Sequence, residues 1–287
     1  MGRDMQPAIW TGMFFPSSAP EALRFLHSCG WRHFELSTQH LEQIEADPDR
    51  SARIDEVLRA LEELGATMPQ AHAYLPADMA HPHEGRRAAD LDLLLRHLDC
   101  CAALGIRYVV IHPGTGDGYT TSEEFRRIRD LNIANCSRLA DHAHKHRLKI
   151  GLENTMDDRG RRRRSFGARP EDLLDLLSEL SHPALGITVD TSHANVQKLD
   201  CAQIIRDFGK HICCTHMSDN DESGDQHLAP GRGTVDWQGT ITALREIGYS
   251  GVFNLEIPGE SESAPSREAL EERTREALAV TEQLLKA

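Results

Sequence analysis

No Cys-x-x-Cys pair occurs in this sequence, and its cysteines number seven. An odd count without paired spacing implies neither a disulfide framework nor a thiolate zinc ribbon, and it points to reduced thiols and a cytoplasmic setting. No apolar run approaches the roughly 18 residues of a membrane span. The opening MGRDMQPAIWTGMFF lacks the basic flank and sustained apolar stretch of a secretory signal, so an unexported protein is expected. Positive charge is also in deficit, with 32 Lys and Arg against 45 Asp and Glu and a net charge of -13. That balance argues against nucleic acid as a partner and for a small-molecule substrate. No Ser/Gly linker or shift of composition divides the 287 residues, so one domain over 1–287 is expected, close to the roughly 250 residues of an α/β barrel. Oligomeric state is not encoded in any of this, and a homo-oligomer is compatible with it.

Histidine, by contrast, is abundant, at sixteen. His27, His33, His40, His97, His142, His144, His146, His182 and His211 fall in polar, helical or loop-like contexts and are expected at the surface. Short β-rich segments alternate with longer amphipathic ones, the pattern of βα units around a parallel sheet. Eight strands are expected, at Ala8–Phe15, Trp31–Ser37, Ala66–His72, Tyr108–His112, Lys149–Glu153, Leu185–Asp190, Ile212–Met217 and Val252–Ile257. Helical spacing marks Glu84–Leu104, Thr121–His146 and Arg267–Leu285. Gly65, Gly105 and Gly248 are placed as helix-ending residues, and Ser51, Thr121 and Pro170 as helix starts. The fold class is therefore a single (β/α)8 barrel.

The informative residues stand at the strand ends. His72, His112, Glu153, Asp190, His216 and Glu256 close six consecutive strands at intervals of 40, 41, 37, 26 and 40 residues, the short one implying an abbreviated helix. In a closed parallel barrel these ends converge on one face, where active sites of the architecture lie. Carboxylates and imidazoles are seldom buried unless paired or coordinated, and a nitrogen and oxygen donor set without thiolate suits Zn²⁺, Mn²⁺ or a related ion. His193, in DTSH, with Asp225 and His227, in DQH, can extend the set. At the rim, Glu35 is either a substrate contact or a structural carboxylate, Trp237 a pocket wall or core, and Arg232, between two glycines, an oxyanion or phosphate contact. Asn154 is expected to brace the Glu153 loop. Arg159, Arg161, Arg162, Arg163, Arg164 and Arg169 crowd one loop that is either a solvated charge run or a phosphate site.

The segments GLENT at 151–155, VDTSHA at 189–194, THMSDN at 215–220, DQHLAPGRGTVDW at 225–237 and NLEIP at 254–258 resemble the xylose-isomerase-like TIM barrel superfamily, over essentially the whole chain. Resemblance to its sugar isomerase/epimerase branch implies a single divalent metal on Glu153, Asp190, His216 and Glu256. The two glutamates would then pass a proton through an enediolate, and His193 would hold substrate oxygens. Resemblance to its endonuclease IV branch implies three zinc ions: His72, His112 and Glu153 for one; Glu153, Asp190, His216 and Glu256 for the second; His193, Asp225 and His227 for the third. Ligand pattern alone favours three ions. The acidic balance, and the acidic STQHLEQIEADPDR loop where a DNA reader would carry basic or wedge residues, favour a carbohydrate isomerase or epimerase, with a phosphodiesterase as the alternative. A noncatalytic sugar-binding barrel is disfavoured because both proton-transfer glutamates are present.

Overall fold

The computed structural model describes residues 4–158, 160, 162–257 and 266–287. Eight parallel strands alternate with helices along it: β1 (Gln6–Trp10), β2 (His33–Leu36), β3 (Thr67–His72), β4 (Tyr108–Ile111), β5 (Lys149–Glu153), β6 (Leu185–Asp190), β7 (Ile212–His216) and β8 (Val252–Leu255). The helices are α1 (Ala19–Ser28), α2 (Thr38–Ala46), α3 (Arg50–Leu64), α4 (Glu84–Ala103), α5 (Ser122–Lys145), α6 (Pro170–Leu180), α7 (Thr191–Val196), α8 (Cys201–Phe208), α9 (Trp237–Glu246) and α10 (Arg267–Lys286). Strands pair in the order β7-β6-β5-β4-β3-β2-β1-β8, and the ring is drawn together by one parallel bridge from Met217 to Leu255. It is a TIM barrel, as the alternation of segments predicts.

Burial on both faces explains the strand composition. Every residue of Leu185–Asp190 and of Ile212–His216 is buried, as expected of parallel strands covered by helices on one side and by the barrel interior on the other. Caps set the helix boundaries. Thr121 accepts from Glu124 N while the Glu124 side chain reaches back to the Thr121 N–H, a reciprocal capping box, and Pro170 opens α6. Gly65, Gly105 and Gly248 end their helices at φ of 57°, 71° and 74°, a left-handed conformation that favours glycine. The barrel is locked to its last helix by Trp31, whose Nε1 donates to Thr274 O at 3.1 Å.

Several expectations need correction. β1 starts at Gln6 and stops at Trp10, because the apolar run continues past the strand into a tight turn at Gly12–Phe14. The acidic segment after β2 is mostly helix α2 rather than loop. Between Asp190 and His216 the chain builds two short helices, α7 and α8, rather than one. His40 and His97 are fully buried, not superficial. His40 Nε2 donates to Ser17 O at 3.0 Å and its Nδ1 meets the Thr11 and Ser37 hydroxyls, so a polar sequence context concealed a core histidine. Among the described residues no helix is long and apolar enough to cross a membrane, and all seven cysteines are buried and free.

Candidate metal centre

Parallel strands ending in register bring their last side chains to one mouth. β5, β6 and β7 present Glu153, Asp190 and His216 there; β3 presents His72; His112 and Glu256 follow β4 and β8 by one residue. Paired hydrogen bonds align these ends. Asn154 Nδ2 donates to Asp190 O at 2.9 Å and its Oδ1 accepts from Asp190 N at 2.8 Å, so Asn154 braces β5 against β6. Thr191 does the same toward β7, donating to Ser218 O and accepting from Ser218 N. Asp190 also caps α7 by accepting from His193 N at 2.7 Å, which turns His193 into the mouth.

The loop 225–237 arrives over this mouth because Asp219 holds it. One carboxylate accepts from Asn220 N, Val235 N, Gly231 N and the Trp237 indole. Gly233 is required in that turn, since a Cβ there would lie 2.2 Å from Asn220 O. The loop carries His227, at φ 49°, and Asp225, which accepts from Ser192 Oγ at 2.6 Å.

Among the described residues four sets of donors converge at the mouth: His72, His112 and Glu153; Glu153, Asp190, His216 and Glu256; His193, Asp225 and His227; and His72, His216 and Glu256. Within each set the donor atoms lie within 4.8 Å of one another. Glu153 joins the first two, with Oε2 3.0 Å from His112 Nε2 and Oε1 3.0 Å from His216 Nδ1. Glu256 lies 3.1 Å from the same His216 nitrogen, and Asp225 lies 3.0 Å from His227 Nε2 and 3.5 Å from His193 Nε2.

Whether these residues suit a cation is decided by their other contacts. His72, His193 and His227 each place Nδ1 against a carbonyl that can only accept, Ala73 O, Asn154 O and Glu256 O at 2.8, 2.8 and 2.9 Å. His216 instead directs Nε2 at the Glu35 carboxylate, at 3.0 and 3.1 Å. In the neutral form each ring must therefore put its proton outward and its lone pair into the mouth, the arrangement that metal-ligating histidines require. Among the described residues His72 Nε2 and Asp190 Oδ2 are buried and lack a hydrogen-bond partner, and Glu153 Oε2 meets only imidazole nitrogens, His112 Nε2 at 3.0 Å and His72 Nε2 at 3.5 Å. Orphaned buried atoms are costly, and cations held by the first two donor sets would between them satisfy all three. The donor set fits a divalent metal.

Electrostatics agree in direction. Burial pushes Asp190 up to about 7, aided by the Glu153 and Asp225 charges and opposed by His193 and His227. Burial would also raise Glu153 and Glu256. The surrounding imidazoles outweigh it, His216 foremost, and hold Glu153 well below the usual carboxylate range and Glu256 at about 2. Burial would lower His193 and His216, yet the facing carboxylates raise both well above the usual histidine range. Carboxylates so arranged favour positive charge in the mouth, whether carried by protons or by a cation.

The remaining rim residues divide into buried Glu35 and Trp237 and exposed Arg232. Glu35 is fully buried behind His216, with the side chains of Gln70 and Asn254 also donating to it, so it supports the histidine ring from behind. Trp237 is core: it is buried, donates to Asp219 and meets Phe253 edge to face. Arg232 pairs with Glu276 at 2.8 Å on the surface, at the edge of a cavity of about 450 Å³ that His227 also borders. In the arginine-rich loop, Arg163 pairs with Glu124 and Arg169 with Asp157, while Arg162, Arg164 and Arg169 border a cleft of about 650 Å³. Arg159 and Arg161 lie outside the described residues. Sequence reasoning missed Gln70 and Asn254. Each stands two residues before a ligand-type residue, His72 and Glu256, and a period of two puts such pairs on one face of a strand.

Residues 23–284 match the family described as xylose isomerase-like TIM barrel. The chain belongs to that family. Within it, the chain is similar to an uncharacterized protein of Methanocaldococcus jannaschii, 30% identical over 199 residues that cover 69% of this chain and 65% of that one. It is similar to the inosose isomerase of Bacillus subtilis, 24% identical over 56% of this chain and 57% of that one. It is also similar to a probable endonuclease 4 of Thermosipho melanesiensis, 26% identical over 82% and 87%. The chain thus spans less than two thirds of the length of the first two of these relatives. Solved family structures share the architecture, among them a D-psicose 3-epimerase with D-fructose present, at a TM-score of 0.81 and 15% identity over 99% of this chain and all of that one.

Proposed function

We propose that the protein is a divalent-metal-dependent isomerase or epimerase of a sugar or sugar-like polyol ketone. The observation that carries this reading is the placement of Glu153 and Glu256 at 3.0 and 3.1 Å from one nitrogen, His216 Nδ1. β5 and β8 stand three steps apart around the ring, so carboxylates that enter from them would face one bound substrate from different directions. Glu153, Asp190, His216 and Glu256 would hold a Zn²⁺ or Mn²⁺ ion. When bound, it would polarise the substrate carbonyl and so acidify the neighbouring C–H. One glutamate removes the proton from that carbon, and the C–H pair becomes the C=C bond of a cis-enediolate as the carbonyl pair moves onto its oxygen. The other glutamate returns a proton to the opposite face of the same carbon, which gives the epimer; return to the former carbonyl carbon, with the hydroxyl proton passing from the neighbouring oxygen to the former carbonyl oxygen, gives the isomer. His193, fixed by Asn154 O, would orient substrate oxygens. Kinship with the inosose isomerase supports a cyclic or open-chain polyol substrate.

Replacement of either glutamate by Gln tests the reading. Turnover should fall by about 10²-fold or more, the usual range for a lost general base, while metal content stays near that of the native protein. Full turnover in both variants would reduce the glutamates to ligands.

A second reading has its own observation: the His72–His112–Glu153 and His193–Asp225–His227 sets are as well formed as the central one. Three ions there would suit phosphodiester displacement, in keeping with the endonuclease 4 relative. The acidic balance of the chain favours the first reading.

A further inference from the structure

Away from the barrel mouth, the outer helices hold a separate set of ligand-type side chains. His142 and His146 are four residues apart at the carboxyl end of α5, with His146 as the cap residue, so they share one face of the helix. Their ring centroids are 4.8 Å apart. From the neighbouring helix, α4, Asp99 points one carboxylate oxygen at both rings: Oδ1 lies 2.7 Å from His142 Nε2 and 3.5 Å from His146 Nε2. We propose that Asp99, His142 and His146 form a surface site for a borderline divalent transition ion such as Zn²⁺, with water completing its coordination.

The geometry is close to what such an ion needs. Bonds of about 2.0–2.2 Å around a tetrahedral centre separate ligand atoms by about 3.3–3.6 Å. The His146–Asp99 pair is already at that spacing. His142 and Asp99 must open by roughly 0.7 Å, exchanging one hydrogen bond for two coordinate bonds. The side chains can move to do so, being 27%, 39% and 46% exposed for His142, His146 and Asp99. That exposure also leaves room for water ligands. Hydrogen bonding by itself does not account for the arrangement, because both imidazoles converge on one oxygen and only His142 bonds to it. The carbonyl end of a 24-residue helix adds partial negative charge where a cation would sit. Two imidazoles and one carboxylate suit Zn²⁺, Co²⁺, Ni²⁺ or Cu²⁺ better than Mg²⁺ or Ca²⁺, which prefer oxygen ligands alone.

This site is independent of the chemistry at the mouth, yet it bears on any count of ions there, because each chain would carry one more than the mouth holds. The test is a Zn²⁺ titration of the full-length protein against a competing chelator, with the native protein beside the His142→Ala/His146→Ala double variant and the milder Asp99→Asn. Both variants should bind one ion fewer per chain at saturation and keep native activity. Zinc-edge anomalous scattering from crystals of the native protein should place a peak between α4 and α5 that persists in Asp190→Ala. Equal stoichiometry in native and variant proteins, or no peak at that position in zinc-saturated crystals, overturns the proposal.

Discussion

Replacing Glu35 with Gln should weaken metal binding without touching a ligand. Glu35 is fully buried, and its two oxygens receive the His216 Nε2–H at 3.0 and 3.1 Å, the Asn254 amide at 2.9 Å and the Gln70 amide. A carboxylate can accept all of these, whereas a carboxamide has one oxygen and one NH₂ group. In the Gln variant at least one donor must therefore face another donor. A buried donor left unpaired costs about 1–3 kcal/mol, enough to lower the melting temperature by a few degrees without unfolding the barrel. The larger effect falls on His216, whose tautomer and ring orientation Glu35 fixes. Loss of such a supporting carboxylate typically costs 10- to 100-fold in metal affinity, or about 1.4–2.7 kcal/mol. Chelator-competition titration of native and variant protein, with circular dichroism as a control for folding, measures this directly. Unchanged affinity would refute the reasoning. A raised KM at unchanged metal affinity would return Glu35 to the role of substrate contact.

Three further outcomes follow from the same geometry. Asp190→Ala removes a proposed ligand whose Oδ2 has no other partner, so metal content should drop sharply while the barrel persists; full metal retention counts against the centre. His40 and His97 are each depressed to about 4, chiefly by burial, against about 6.5 when unfolded. Their contribution to stability is thus present above pH 6.5 and is lost as pH falls toward 4, roughly 3 kcal/mol for each. Melting temperature against pH should accordingly be flatter in His97→Leu across that window, and identical profiles would contradict the assignment. Gly233→Ala sets a Cβ 2.2 Å from Asn220 O, so the loop that bears Asp225 and His227 must shift. Stability should fall by about 1–3 kcal/mol, with loss of ions from the third donor set, and a native-like metal count in this variant would be inconsistent with that account of the loop.

The barrel and its mouth were readable from the sequence because period and position carry them. Glu153 and Asp190 stand at the last position of an apolar run, and that placement alone brought the six strand-end residues together. Helix ends at Gly65, Gly105 and Gly248 were equally plain, since a left-handed residue has a local signature. What escaped depends on three-dimensional company. Glu35 stands one residue before the end of its strand, close to where the candidate ligands stand, and only the position of His216 Nε2 against its carboxylate distinguishes support from contact. His40 sits in a polar stretch, STQH, and its buried ring is satisfied by the hydroxyls of Thr11, just past β1, and of Ser37, which caps α2. Trp237 and Arg232 share one loop motif, yet Asp219 draws the first into the core and Glu276 holds the second on the surface.

Transfer of hydrogen between solvent and substrate carbon tests the central claim most directly. Metal-loaded protein, incubated in deuterated water with inososes, ketohexoses and their phosphates, should place deuterium on the carbon beside the carbonyl of the substrate it converts. That label should disappear in Glu153→Gln and Glu256→Gln, whose metal content is retained. Conversion without label in the native protein would contradict proton transfer through the two glutamates. Absence of any conversion, together with cleavage of a phosphodiester such as abasic duplex DNA by the three-ion form, would contradict the isomerase reading itself.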